Sequence, residues 1–157
     1  PKEINEIVLS MAEMSEKQTG ALIVISRRVG LKNYIETGIE LEAKISKQLL
    51  SSIFQHESPL HDGALIIENG RVQAASCFLN LSTRSDINPR LGTRHRAAIG
   101  ITEESDALAL VVSEETGVIS VAEDGKLSRH LDKSELRETL AHSFEKSKEK
   151  SFMRRHL

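Results

Sequence analysis

The sequence predicts one α/β domain, mixed α+β in character, with a mixed parallel and antiparallel β-sheet flanked by helices. Three observations carry that expectation. Helical periodicity appears near both ends of the chain. Between them lie short apolar runs, Ala21 to Ile25 and Ala107 to Val112, suited to strands buried on both faces. An Asn69-Gly70 pair sits between two strand-like segments, yet strands and helices do not alternate strictly.

Each element follows from local chemistry. Over residues 3–17, Ile4, Ile7, Val8, Met11 and Met14 share one helical face, and Gly20 ends the pattern. Residues 30–38 are expected as loop. Ser46 is a cap for a helix over 47–55 with Leu49, Leu50 and Ile53 inward, closed by Pro59. Residues 64–68 and 71–76 form a hairpin, since both residues of an Asn-Gly turn need positive φ. A polar loop covers 82–92 and a short helix covers 93–103. Strands are expected at 108–112, 118–122 and 126–130, the last two joined by Asp124-Gly125. Asp132 and Glu135 make a capping box for a helix ending near 146. The chain thus divides into an N-terminal helix over 1–18, a single unit over 19–145 and a charged tail over 146–157, which includes Arg154, Arg155 and His156.

Composition narrows the function. At 157 residues, 39% hydrophobic and 28% charged, the chain can bury one real core. The net charge of −2 has no dominant basic block, which disfavours nucleic-acid binding but leaves room for a small anion. Cys77 is the single cysteine, so no internal disulfide forms, and its strand-like setting reads as a buried thiol. The longest apolar runs are too short to span a membrane.

Familiar motifs fail. There is no Gly-x-x-x-x-Gly-Lys-Ser/Thr and no Gly-x-Gly-x-x-Gly. His56 and His61 are five apart with Pro59 between them, which breaks the helical face that a zinc protease needs. Three segments remain at junctions between elements. In Leu60-His61-Asp62-Gly63-Ala64, Asp62 can hold a divalent metal or take a hydroxyl proton, beside a glycine that admits a ligand; the same residues also make a simple turn. In Gly92-Thr93-Arg94-His95-Arg96-Ala97, a helix start offers free N–H groups, Thr93 as a cap, and cationic donors. The dipole disfavours cations there, so either an anion is bound or a surface cluster tolerates a small cost. Ser113-Glu114-Glu115-Thr116-Gly117 is either a metal or hydroxyl site or a solvated turn.

At Asp62-Gly63-Ala64 and Gly92-Thr93-Arg94-His95-Arg96-Ala97-Ala98 the chain closely resembles the diadenylate cyclase (DAC domain) family, and membrane-type bacterial members in particular. The likeness runs over roughly 18–140 and takes in Thr19-Gly20-Ala21-Leu22-Ile23, Tyr34-Ile35-Glu36-Thr37-Gly38 and Val111-Val112-Ser113-Glu114-Glu115. The resemblance implies condensation of two ATP into cyclic di-AMP and two pyrophosphates with Mg2+, Mn2+ or Co2+. It implies that Asp62 activates the ribose 3′-hydroxyl and, with His61, contacts metal. Gly63 and Ala64 would lie against the nucleotide and Leu79 against adenine. Thr93, Arg94, His95 and Arg96 would hold the triphosphate, and Ser113 and Glu115 would line the site. It also implies a face-to-face homodimer.

Phe78 and Asn80 stand where many membrane-type members carry Tyr and Pro; Phe78 keeps a stacking face without a hydroxyl. The subfamily's transmembrane helices are missing and the chain opens on Pro1. The expectation is a cytoplasmic catalytic domain trimmed from a membrane-anchored protein, or else a naturally soluble member. The alternatives are a nucleotide-binding sensor without turnover and an interaction domain without a ligand.

Overall fold

Seven strands form one sheet in the order β2-β4-β3-β1-β5-β6-β7 in the computed structural model, which describes the backbone of residues 1–156 and the side chains of residues 1–145. The elements run α1 (Lys2–Glu16), β1 (Ala21–Ile25), α2 (Lys32–Ile35), β2 (Ile39–Lys44), α3 (Lys47–Ile53), β3 (Ala64–Glu68) and β4 (Arg71–Cys77). They continue with α4 (Thr93–Glu104), β5 (Leu108–Val112), β6 (Ile119–Glu123), β7 (Lys126–Arg129) and α5 (Lys133–His156). Only β1 and β3 pair in parallel; every other neighbour is antiparallel. The mixed sheet expected from the sequence is therefore present.

The central strands are continuous apolar runs because both their faces are covered. Ile23, Ile25, Leu65, Ile67, Leu108 and Leu110 point to one face, where α1, α3 and α5 add Ile7, Met11, Leu50, Ile53, Leu136 and Leu140. Leu22, Val24, Ile66, Ala109 and Val111 point to the other, under Ala97, Ala98 and Ile101 of α4. This two-residue alternation is the period of a pleated strand. Each fully buried aliphatic side chain contributes about 1.5–3 kcal/mol. The register is thus strongly held, since a slip of one residue would exchange the two faces.

Local signals set the boundaries. Ser46 Oγ accepts from Leu49 N at 3.1 Å at the start of α3. Asn69 and Gly70 both have positive φ in the β3–β4 turn. Asp132 and Glu135 bond reciprocally, Glu135 N to Asp132 Oδ1 at 2.8 Å and Asp132 N to Glu135 Oε1 at 3.2 Å. Arg27 is buried at the far end of β1. It donates to Ser143 Oγ at 3.1 Å and to Glu123 Oε2 at 2.6 Å, tying α5 to β6.

Four expectations need correction. Residues 30–38 are not all loop: Lys32–Ile35 close one helical turn. An unexpected edge strand, β2, follows, and its exposure masks it, since Ile39 is open to solvent and the β2–β4 register shifts between Glu40 and Ala43. Thr93 does not cap α4; Gly92 occupies the cap position and no side chain closes it. The last helix does not stop near 146 but continues to His156. Side chains from 146 onward, Arg154, Arg155 and His156 among them, and Leu157 altogether, lie outside the described residues.

Candidate active site

The sheet registers gather one end of many strands at one place. Ala64 faces Cys77, so Asp62-Gly63 before β3 and Phe78-Leu79 after β4 are neighbours. Parallel pairing of β1 with β3 puts Gly20 and Leu22 at the same end, and the pairing of Ala21 with Val112 adds Ser113 to Thr116. The α4 helix crosses this end with its first turn open, and a cleft of two lobes lies between.

The more apolar lobe, about 400 Å3, is walled by Leu22, Ala64, Leu79 and Ala97, with His61, Asp62 and Gly63 on one side and Thr93 and Arg94 on the other. The polar lobe, about 320 Å3, is lined by Thr93, Arg94 and His95 of α4 and by Ser113, Glu114 and Glu115 of the β5–β6 turn. Thr93, Arg94 and Glu114 border both lobes. Both volumes lie in the range of small-molecule pockets. The acid before β3 and the cationic helix start therefore share one cavity.

Gly63 has φ +97°, and a Cβ there would lie 2.8 Å from Cys77 O, so neither backbone nor space accepts a side chain. His61 Nδ1 lies 2.7 Å from Ser58 O. A carbonyl only accepts, so Nδ1 is protonated and Nε2 carries the free lone pair that a metal needs. Asp62 is exposed at the rim. Among the described residues no cluster of three or more His, Cys, Asp or Glu could hold an ion. His61 and Asp62 still fit a hard divalent cation that takes its remaining oxygens from phosphate and water, which is how Mg2+ usually binds.

Of the other expected residues, Leu79 is buried in the apolar lobe and Ala64 lies beneath it. Ser113 Oγ accepts from Glu115 N at 3.2 Å and Thr116 N at 3.3 Å, which shapes the turn that presents Glu115 to the polar lobe. Arg96 lines neither lobe; two positions beyond Arg94, it faces away around the helix. Cys77 is buried in β4, and burial pushes its thiol up to about 11, so it is a protonated wall residue.

His95 is 5% exposed, and neither ring nitrogen has a partner. Burial lowers its pKa, and the positive charges of Arg129 and Arg94 lower it further. A neutral imidazole offers one donor and one acceptor, and His95 brings both to the lining of the polar lobe.

Further residues complete the cleft beyond those expected to form the site. Arg94 Nη1 lies 3.5 Å from Glu114 Oε2, an exposed carboxylate that orients the guanidinium. A Cβ on Gly20 would lie 2.5 Å from Arg94 Nη1 and 2.6 Å from Cζ, so the guanidinium rests against bare backbone at the entrance to β1. Leu22, His56, Ala97 and Phe78, the last 71% exposed, also border the apolar lobe. Arg129 borders the polar lobe. Of these, Gly20, Leu22, Ala97 and Glu114 lie within the segments that carry the resemblance; Arg129 had no local signal.

Residues 8–127 match the family described as DAC, DisA bacterial checkpoint controller nucleotide-binding. The chain is 48% identical over 146 residues to the cyclic di-AMP synthase CdaA of Bacillus subtilis, covering 93% of this chain and 54% of that protein. It is 47% identical over 137 residues to a diadenylate cyclase of Listeria monocytogenes, covering 87% and 50%. The chain thus spans about half the length of the curated relatives it matches. Among solved structures, a double mutant of DacA from Staphylococcus aureus matches with a TM-score of 0.89 and 46% identity, covering 90% of this chain and 95% of that one. A hypothetical membrane spanning protein from Bacillus cereus matches with a TM-score of 0.79 and 44% identity, covering 82% and 63%.

Two outcomes follow from the geometry. In Gly20→Ala the flexible Arg94 side chain yields rather than the backbone, so the variant folds but its cleft binds inorganic tripolyphosphate, used as an anion probe, roughly tenfold or more weakly, the worth of a charge-assisted hydrogen bond; calorimetric titration beside a melting curve checks both. For His95 the folded-state pKa lies below the unfolded one. The unfolded chain therefore takes up the extra proton as pH falls through about 6.5, and stability drops. The melting temperature should decline from pH 7.5 to 5, and His95→Gln should flatten that decline.

Proposed function

The chain belongs to the DAC nucleotide-binding family, and we propose that it is the catalytic domain of a diadenylate cyclase that condenses two ATP into cyclic di-AMP and two pyrophosphates. One observation carries the reading: Asp62 and the cationic start of α4 line a single cavity with an apolar wall of purine size. The names of the relatives, a cyclic di-AMP synthase and a diadenylate cyclase, support it.

In this reading adenine packs on Leu79 and Leu22. The backbone at Gly63 lets the ribose approach closely, and the triphosphate lies along the free N–H groups of Thr93 to His95 with the Arg94 guanidinium beside it. Asp62 accepts the proton of the ribose 3′-hydroxyl. The 3′-oxygen then bonds to the α-phosphorus of the facing ATP, and the bond from that phosphorus to the bridging oxygen breaks. Pyrophosphate leaves with the electron pair, and the proton passes from Asp62 to water. A second such step closes the ring. Positioning and charge neutralisation supply most of the acceleration. His95, held neutral, donates to a phosphate oxygen without adding charge. A bound Mg2+, Mn2+ or Co2+, with Asp62 and His61 as its protein ligands, would neutralise charge on the triphosphate.

The product has two-fold symmetry, so two identical clefts facing each other suffice to make it, and a two-fold contact pairs the same surface of each chain. A homodimer is therefore the working unit, and one chain holds one ATP. Among the described residues no helix is long and apolar enough to cross a membrane. The name of the Bacillus cereus neighbour supports a place for this domain beside a membrane in a longer protein.

ATP with Mn2+ should yield a product that co-elutes with a cyclic di-AMP standard; tight ATP binding without product would contradict the reading. Asp62→Asn should lower turnover by about a hundredfold or more, the usual worth of a general base, while ATP affinity stays near wild type. Activity per chain should fall on dilution, and a concentration-independent rate in a demonstrated monomer would remove the dimer from the account.

A further inference from the structure

Arg129 stands across the polar lobe from the start of α4, on the last strand of the sheet. Ser120 and Arg129 are direct partners across β6 and β7, and such partners leave the sheet on the same side. Ser120 alternates with Ile119 and Val121, which pack in the opposite core, so Ser120 and Arg129 face α4. Arg129 accordingly lines the same lobe as Thr93, Arg94 and His95. Its guanidinium makes no ion pair or side-chain hydrogen bond among the described residues. Arg94, by contrast, has Glu114 at 3.5 Å.

The lobe therefore has two cationic walls: the helix start with Arg94, and the sheet edge with Arg129. Between them sits the buried imidazole of His95 with both nitrogens unpartnered, and Ser120 Oγ, also buried and unpartnered, lies on the same side of the sheet. Arg94, Arg129 and an unsatisfied imidazole converge on a lobe that Arg90 also lines; Glu114 and Glu115 are its carboxylates, Glu114 paired with Arg94, and an oxygen-rich anion would complete the partners of Arg129 and His95. The more apolar lobe has no Arg129 in its lining. A nucleotide with its base in that lobe and its first phosphates on α4 would reach Arg129 only with the far end of its phosphate chain.

We propose that Arg129 is the residue that recognises the third phosphate: from the wall opposite α4 it grips the outermost phosphate of a nucleoside triphosphate and so holds the end of the departing pyrophosphate. This deepens the reading given under Proposed function and rests on it. It assigns to one edge-strand arginine the discrimination of triphosphate from mono- and diphosphate. A guanidinium suits that task because its planar fork can bond two phosphate oxygens at once while staying charged at every working pH.

The test is calorimetric titration of the wild type, Arg129→Gln and Arg129→Lys with ATP, ADP, AMP and inorganic tripolyphosphate. Expected is a loss of roughly tenfold in affinity for ATP and tripolyphosphate in Arg129→Gln. AMP and ADP should change less than about twofold, and Arg129→Lys should recover part of the loss because it restores the charge without the fork. Unchanged AMP affinity also reports that the variant is folded. Equal weakening of AMP and ATP, or wild-type affinity for tripolyphosphate in Arg129→Gln, would overturn the assignment. A wild-type protein that binds neither ATP nor AMP would instead overturn the nucleotide reading itself.

Discussion

The constraint on which the rest depends is the register of the sheet beneath α4. Apolar alternation that fills two cores at once sets the cleft ends of β1, β3, β4 and β5, so none of these strands can slide without exposing a face. The same register fixes Asp62 before β3, Leu79 after β4, Gly20 before β1, Ser113 after β5 and Arg129 at the end of β7. Except for Leu79, which itself packs in the core under α4, none of these residues supplies the energy that places it. Aliphatic packing many residues away does so, which leaves the cleft free to hold groups that packing alone would not favour.

The cleft shows what that freedom is used for. Positive charge at a helix start opposes the dipole, and Arg94, Arg129 and a buried neutral imidazole at one lobe form an arrangement with no benefit to the folded chain alone. Glu114 offsets part of the cost by pairing with Arg94, but it is an exposed carboxylate at 3.5 Å, and such pairs contribute little. An anion with several oxygens, as proposed for this lobe, would remove the remaining mismatch. Glycine is required at two places in the cleft: Gly20 leaves room for the Arg94 guanidinium, and Gly63 lies against the backbone of Ser76 and Cys77 at φ +97°.

Much of this was legible in the sequence because its signals were local. The helical face from Ile4 to Met14, the Asn69-Gly70 turn, the Ser46 cap and the Asp132–Glu135 box each depend on residues within a few positions of one another, and each stands where expected. The motifs around Asp62 and Arg94 were visible for the same reason. Features set by distant contacts were not. β2 is an exposed strand bent by a bulge, and it pairs with a strand about thirty positions away. Arg129 owes its place to Ser120, the partner it meets on β6, and its neighbours in sequence form no ligand motif. Arg96 sits in the right motif but on the wrong side of the helix, a distinction that motif reading alone does not make. The Thr93 cap failed because Gly92 already provides an extended residue at that position.

The measurement that bears most directly on the central claim is a crystal structure of the protein with a non-hydrolysable ATP analogue and a divalent cation. One nucleotide per chain is expected, its base against Leu79, its ribose 3′-oxygen within hydrogen-bond reach of the Asp62 carboxylate, and its phosphates on the backbone of Thr93 to His95. A nucleotide bound elsewhere on the molecule, or one whose phosphates leave the start of α4 empty, would contradict that claim.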